Sequence, residues 1–487
     1  MKPRCVDLGL AVLLLGCGSC GGSDAAREWG PRPDQLPVPE GDVHVVLYLV
    51  DTLRADRLGL YGYHRPTSPH LDALAEECVV FDSAYAAAPW TLPSVVSMMT
   101  ASFPMEHGIV VRGDRVAEEA ETLPERMQAL GYRTAGFVCN PFGATASGMD
   151  EGYDHLVSMP RGRQSVDVAE VQEWLRAHPD DRHFLYVHTL EPHRPYKAPR
   201  GYQERFGDPG KPVLDAVHED MKVMRTRSRA DFDAGREVGT TQNDAEQQVA
   251  IDALAARKQA VDAYYDAGVA WADGNVQALV QLLRKRGMWD RTLFLFLSDH
   301  GEELFDHGGW LHTQHLYGEL VHVPFLVHFP GGARPVERCA APVTLVDVLP
   351  SILDYLGEDP GETSGESLLP KLVDGAPSEP RVVANRVNRM LHFGPDVRRR
   401  GNVNVAVVQG SWKAILNLDV DTIELYDLAA DPGEQDDLAG REPDKAAALR
   451  AVAEQWLRDR RTPGVSGRGA ELEGDVLDEL RELGYAR

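Results

Sequence analysis

Short apolar runs alternate with stretches of helical periodicity between residue 43 and about residue 357. Residues 45–50 (VVLYLV) and 292–297 (TLFLFL) carry no charged residue, the pattern of strands buried on both faces of a sheet. Further strands are expected at 79–81, 132–138, 183–188 and 323–329. Helices are expected at 69–77, 90–100, 121–131, 245–286 (with an interruption) and 345–356. This alternation predicts an α/β fold with a doubly wound, mostly parallel sheet covered on both faces. From residue 358 the composition loosens into a smaller α+β subdomain. Its strands are expected at 403–408 and 412–416, and its helices at 443–460 and 470–483.

The polar residues that end these strands carry the candidate chemistry. Asp51 follows the first apolar run, and Asp299, His300 and Gly301 follow the run at 292–297. A hard carboxylate oxygen beside an imidazole suits one divalent cation, such as Ca, Mg, Mn or Zn. Gly301 lets the backbone turn away behind them. Asn140 ends the strand at 132–138, and Glu191-Pro-His193 follows the strand at 183–188. Ligands of open α/β sheets bind outside the carboxyl ends of the strands, so these residues are expected to converge on one crevice.

Thr91 stands at the start of a helix, with Pro93 and Ser94 in its first turn. Unpaired N–H groups and the helix dipole favour a tetrahedral oxyanion there. A hydroxyl at that point can act as a nucleophile if a cation lowers its pKa. Each fragment alone has a plainer reading. An Asp after a strand is commonly a turn residue or an N-cap, and Thr91 alone reads as an N-cap. Five histidines between His300 and His322 would ordinarily be one or two ligands among surface residues.

Composition narrows the setting. At 487 residues and 43% apolar, the chain can bury a large core. A formal charge of −25 argues against nucleic acid as a partner, because phosphate backbones demand a basic face. Residues 1–22 read as a signal region, with Lys2 and Arg4 ahead of a short apolar stretch. Leu14-Leu-Gly-Cys17 looks like a bacterial lipobox, in which Cys17 is lipidated after cleavage; an ordinary cleaved secretory signal is the alternative. The stretch falls short of the ~20 residues that span a bilayer. The expected location is the cell envelope, with membrane contact only through the lipid on Cys17. Residues 23–42 read as a tether, 43–357 as the main domain and 358–487 as the smaller one. Cys78, Cys139 and Cys339 then remain, too sparse for a disulfide framework although one bridge stays open. Residues 199–244 are polar and aperiodic, an excursion expected to be mobile or to cover the crevice. Substrate recognition is expected from that excursion and from residues 386–400, whose Arg398-Arg-Arg400 reads as a solvated loop or as a contact for an acidic substrate.

Several separate motifs resemble the sulfatase family of the alkaline phosphatase superfamily. They are Asp51-Thr-Leu-Arg-Ala-Asp-Arg-Leu-Gly-Leu-Tyr-Gly-Tyr63, Arg65-Pro-Thr-Ser-Pro69 and Ala88-Pro-Trp-Thr-Leu-Pro-Ser94. His107-Gly108, Gly131-Tyr-Arg-Thr-Ala135, Glu191-Pro-His-Arg-Pro-Tyr196 and Ser298-Asp-His-Gly-Glu-Glu303 follow in the family's order. So do Glu424-Leu-Tyr-Asp-Leu428, Asp431-Pro-Gly-Glu434 and the closing Leu480-Arg-Glu-Leu-Gly-Tyr485.

The resemblance implies an alkaline-phosphatase-like fold in which Asp51, Asp299 and His300 bind one divalent cation and Thr91 occupies the nucleophile position. It implies that His193 reaches the substrate's oxygens or protonates the leaving group. His312, five residues before Tyr317, resembles the histidine of the family's His-Gly-x-x-Leu-Tyr segment, with His315 as its rival; Thr52 and Asn140 would line the pocket. Two departures matter. Formylglycine sulfatases carry Cys or Ser in C/S-x-P-S-R, whereas this chain has Thr91-Leu-Pro-Ser94 and then Val95, and threonine cannot yield that aldehyde. The family's Gly-Lys-Trp-His segment is replaced by Cys139-Asn-Pro-Phe142. A threonine beside a metal is what the superfamily's phosphodiesterases and phosphotransferases use. The expectation is therefore a metal-dependent hydrolase of sulfate or phosphate esters, phosphoryl chemistry favoured, acting on a small-molecule, glycan or lipid ester. The alternative is a surface lipoprotein of the same fold that binds an anion or metal without turnover.

Overall fold

The computed structural model describes residues 42–118, 120–158, 162–207, 257–373, 379–387 and 403–459, with Leu36 and a few other isolated residues. The signal region, nearly all of the tether, most of the excursion at 199–244 and the start of the helix expected from 245 lie outside the described residues. So do Arg398 to Arg400, the helix expected at 470–483 and the closing motif at 480–485.

An eight-stranded sheet forms the centre of the main domain. In chain order its strands are β1 (His44–Val50), β2 (Val79–Phe81), β3 (Arg133–Val138), β4 (His155–Ser158), β5 (His183–Thr189), β6 (Thr292–Leu297), β7 (Phe325–His328) and β8 (Arg338–Cys339). Their spatial order is β8-β2-β7-β6-β1-β5-β3-β4. Neighbours run parallel except at β7, which is antiparallel to both β6 and β2. Every residue of β1 and β6 is buried. Successive side chains point to opposite faces, so full burial means that both faces are covered.

Register sets the working edge. Leu49 of β1 pairs with His188 of β5 on one side and with Leu297 of β6 on the other. Continuing both chains by two residues brings Asp51 level with Asp299. The helices that matter here are α1 (Thr91–Thr100), α2 (Lys258–Lys285), α3 (Val348–Leu356) and α4 (Pro443–Asp459). The interruption expected in the long helix is absent from α2. Its buried Val261, Tyr264, Tyr265, Gly268, Ala272, Val276, Leu279 and Leu283 keep one continuous helical stripe on the core.

The smaller unit is an antiparallel sheet, β9 (Arg381–Val387), β10 (Val403–Gln409), β11 (Trp412–Asn417) and β12 (Thr422–Asp427), in that order. Ala446, Leu449 and Ala453 of α4 pack on Val405, Val407, Ala414 and Leu416. The apolar patterning did not reveal β4, β9 or β12. β12 (TIELYD) is mixed in polarity, and only its motif marked it. Cys78, Cys139 and Cys339 are all buried, and no disulfide joins any two of them. Among the described residues no helix is long and apolar enough to cross a membrane.

Buried charge joins the two units. Lys413 of β11 is fully buried and lies 2.7 Å from Glu434 Oε1, an ion pair rather than an aligned hydrogen bond. Tyr317 donates to Glu424 at 2.5 Å. His307 places Nδ1 2.6 Å from Glu319 Oε1 and Nε2 3.0 Å from the Glu434 carbonyl. Burial works against charging His307, yet Glu319 and Glu434 outweigh it and raise its pKa above the ordinary histidine value. A raised histidine pKa stabilises the fold fully below the unfolded value of ~6.5, and that contribution fades as pH rises through the folded value. We expect His307→Gln to lose about 1–3 kcal/mol at pH 6 and clearly less at pH 9, measured by denaturant unfolding beside the wild type. A loss that does not depend on pH would mean that His307 is neutral in the folded protein.

Candidate active site

Asp51 and Asp299 are wholly buried at the carboxyl ends of β1 and β6. Asp51 Oδ2 accepts from Asn140 Nδ2 at 2.7 Å and from Thr91 Oγ1 at 3.3 Å. Asp299 Oδ1 accepts the backbone N–H of His300 at 2.9 Å and of Thr52 at 3.3 Å. The turn role weighed for a carboxylate after a strand is therefore real for Asp299, but it occupies only one oxygen. Asp51 Oδ1 and Asp299 Oδ2 are buried without a hydrogen-bond partner. His300 Nε2 lies 3.6 Å and 3.5 Å from those two oxygens. His300 Nδ1 sits 2.8 Å from the Gly301 carbonyl, which can only accept, so Nδ1 carries the proton and Nε2 presents its lone pair. Gly301 serves close packing more than a turn: a Cβ there would lie 2.1 Å from the Glu319 carbonyl oxygen.

Thr91 is the first residue of α1, and Trp90 holds the N-cap position, so the plain capping reading fails. The buried Thr91 hydroxyl lies 3.2 Å from His300 Nε2 and 3.4 Å from Asn140 Nδ2. Ser94 Oγ donates to the Asp299 carbonyl at 2.6 Å, which fastens the helix start to the strand end. Asn140 keeps its amide oriented by accepting the Phe142 N–H at 3.1 Å. Thr52 contributes its backbone N–H to Asp299. At a φ of 59°, its side-chain hydroxyl donates to the Asp51 carbonyl at 2.7 Å.

His188 of β5 was passed over in the sequence. Its Nε2 has no aligned hydrogen bond and lies 3.4 Å from Asp51 Oδ2, while Nδ1 is 3.0 Å from the Tyr186 hydroxyl. Asp51, His188 and Asp299 each offer a ligand atom within 4.8 Å of the others. The clue was its place near the end of a strand beside β1, although only the register puts it level with the carboxylates. Burial works against ionising Asp51, yet His193, His188 and His300 hold its carboxyl well below the usual range. Burial and the Asp51 charge push Asp299 well up. Two buried carboxylates with unpartnered oxygens and facing imidazole nitrogens form a donor set that fits a divalent cation.

His193, just past β5, holds Nδ1 2.5 Å from the Arg194 carbonyl. Its ring centroid is 5.5 Å from that of His312, which is 4.6 Å from His300. Burial lowers His193 to about 4. His312 Nδ1 is 2.9 Å from Glu302 Oε1, a buried carboxyl that burial pushes up to about 7. His315 does not join this group. Its Nε2 faces Glu303 at 2.9 Å and its Nδ1 accepts the Tyr317 N–H at 3.3 Å. Thr313, at φ 99°, lies in the chain between the two histidines, and His312 and His315 meet different carboxyls, Glu302 and Glu303. Arg386, expected near the substrate, instead donates to the Thr313 carbonyl at 2.7 Å and holds that turn.

The sheet, the edge at which these residues gather and the appended antiparallel unit define an alkaline-phosphatase-like hydrolase fold. A profile of the family described as Sulfatase matches residues 43–358, and one described as N-sulphoglucosamine sulphohydrolase, C-terminal, matches residues 306–461. The chain belongs to the sulfatase family. It is 23% identical to an N-acetylglucosamine-6-O-sulfatase of Bacteroides thetaiotaomicron over 91% of this chain and 88% of that protein. It is 24% identical to the multifunctional alkaline phosphatase superfamily protein PehA of Trinickia caryophylli, over 85% of this chain and 94% of that one. The crystal structure of a phosphonate monoester hydrolase of Agrobacterium radiobacter superposes with a TM-score of 0.64 at 21% identity, covering 88% and 97% of the two chains.

Chelator-treated protein should gain thermal stability when Mg²⁺, Ca²⁺, Mn²⁺ or Zn²⁺ is added, by about 2.7 kcal/mol at a hundred times the dissociation constant. Asp299→Asn should abolish that gain while leaving the metal-free protein at least as stable, since it removes one of two facing carboxyls. No shift with any of the four ions would rule out the cation site.

Proposed function

We propose that the protein is a metal-dependent hydrolase of phosphate or sulfate esters, phosphoryl chemistry favoured, in which Thr91 attacks and water resolves the enzyme-bound ester. One observation carries this reading: a buried threonine hydroxyl at a helix N-terminus, 3.2 Å from His300 Nε2 and 3.3 Å from Asp51 Oδ2. Asp51, Asp299, His300 and His188 would hold the cation. When bound, it supplies the positive charge that lowers the hydroxyl pKa and offsets the charge of the ester oxygens.

The remaining work falls to side chains. Asp51 Oδ2, the acceptor that already faces it, orients the Thr91 hydroxyl, which gives its proton to solvent as it attacks and regains one when water displaces it. Asn140 and the open N–H groups of α1 hold the oxygens of the transferred group. His193 or His312 hands a proton to the departing oxygen, and the same nitrogen later takes one from the attacking water. Relatives at comparable distance bear names from both chemistries, a sulfatase and a phosphonate monoester hydrolase among them, so likeness alone does not choose. Thr91 favours phosphate, because threonine cannot yield the formylglycine aldehyde. Anchored through Cys17, the enzyme would meet ester groups on glycans or lipids of the envelope.

Val95, where the family motif carries arginine, favours the second reading, a protein of this fold that binds an anion without turnover. Turnover decides between them. With each divalent ion in turn, the soluble mature chain should hydrolyse phosphate mono- or diesters faster than matched aryl sulfates. Thr91→Ala should lower kcat on the order of 10³-fold or more, and Thr91→Ser should keep part of it. Thr91→Ala within about threefold of wild type would remove Thr91 as the nucleophile, and metal-bound protein silent on all three ester classes would favour the binding reading.

A further inference from the structure

His312 stands beside His300, and His193 beside His312, and the partners of their Nδ1 atoms distinguish them. His193 directs Nδ1 at the Arg194 carbonyl, its own chain neighbour. His312 directs Nδ1 at a carboxyl, Glu302 Oε1, 2.9 Å away, with Glu302 fully buried and His312 nearly so. Glu302 Oε2 has no hydrogen-bond partner. The backbone around Glu302 is pinned: Gly301 donates to the Leu320 carbonyl at 2.8 Å, and the Glu302 carbonyl accepts Arg54 Nη1 at 3.1 Å. Arg54 is itself buried, paired with Asp56 at 2.6 Å and with Asp306 at 2.7 Å. Glu302 is therefore a rigid carboxyl whose approach to His312 is set by backbone on both sides. A carboxyl accepting Nδ1–H fixes the imidazole tautomer and stabilises the imidazolium, which leaves Nε2 to exchange a proton with whatever lies before it.

We propose that Glu302 is a positioning residue that makes His312, rather than His193, the proton donor to the leaving group. This rests on the hydrolase reading above. In the first half-reaction the Thr91 oxygen forms its bond to phosphorus or sulfur, the ester oxygen departs, and the Nε2 proton of His312 goes to that oxygen. In the second, a water oxygen displaces Thr91, and His312 Nε2 takes the water's proton. The proton that Thr91 releases to solvent in the first half-reaction is regained when water displaces it, so the sum is ester plus water giving alcohol plus acid, with His312 Nδ1 held on Glu302 Oε1 in both halves. His312 touches the leaving oxygen; Glu302 acts only through it.

A leaving group that needs no proton does not need this pair, and that gives the test. Wild type, Glu302→Gln, His312→Gln and the double variant are assayed on two esters with the same transferred group, one leaving as 4-nitrophenolate and one as a simple alkoxide. Glu302→Gln should lose ~10²–10⁴-fold in kcat on the alkyl ester, less than about tenfold on the nitrophenyl ester, and leave KM within about threefold. The double variant should be no slower than His312→Gln, because the two residues act as one unit. Equal losses on both esters, or an unchanged alkyl rate, would overturn the role of Glu302 while leaving the hydrolase reading intact. Wild-type silence on both esters would overturn that reading, and this role with it. Should Glu302→Gln fail to fold, wild-type protein labelled with ¹⁵N-histidine decides. His312, assigned with the His312→Gln variant, must carry its proton on Nδ1, and a neutral ring protonated on Nε2 alone would refute the proposal.

Discussion

Two carboxyl groups buried side by side are the constraint on which the rest of the site depends. β1 and β6 are parallel and in register, so the first polar residue after β1 and the second after β6 end level, inside the protein. Two unit charges at about 4 Å repel by about 4 kcal/mol at an effective dielectric of ~20, before any cost of leaving water. The surroundings answer that cost. Asn140 and the backbone N–H groups of Thr52 and His300 donate to the carboxyl oxygens, and His188 and His300 bring imidazoles from the neighbouring strand and from the turn itself. The pair is held one below and one above the ordinary carboxyl range, which is the arrangement that a divalent cation would resolve. Thr91 belongs to the same arrangement, because Ser94 fastens the start of its helix to the Asp299 carbonyl.

The segment between β6 and β7 links this site to the smaller domain. Phe305, Leu311 and Thr313 all adopt positive φ, each at a cost of roughly 1–3 kcal/mol. Contacts from the smaller unit offset that cost: Arg386 holds the Thr313 carbonyl, Glu434 accepts from Gly318, and Glu424 accepts from Tyr317. The result is that His312 faces the carboxylates and His315 faces Glu303. The antiparallel sheet therefore does more than append a second layer. It braces the turn that follows His312.

Much of the fold was legible because burial on two faces leaves a simple mark. β1 and β6 are unbroken apolar runs, and α2 repeats its apolar stripe over its full length. The missed strands have physical reasons. β4 lies at the sheet edge with its ends exposed, and β12 keeps a mixed face over a buried charged network, so neither needs an apolar pattern. β7 was recognised as a strand, but its antiparallel direction depends on a connection that composition does not encode. Within its described span α2 runs without interruption because its polar residues fall between the stripe positions rather than across them.

The sequence by itself determined the family, the strand-end placement of Asp51, Asp299 and His300, and the presence of a hydroxyl at the head of a helix, because each is a matter of local order along the chain. The choice among residues that are neighbours only in space came from the tertiary structure. His188 joins the carboxylates because strands pair in register. His312 lies beside His300 while His315 meets Glu303, with a positive φ at Thr313 in the chain between them. Thr52 meets Asp299 through its backbone N–H because β1 and β6 end level. Glu302 meets His312 across a folded turn whose shape the second domain maintains. Such choices are set by register and by backbone turns held from a distance, and these forces act between residues that the linear order keeps apart.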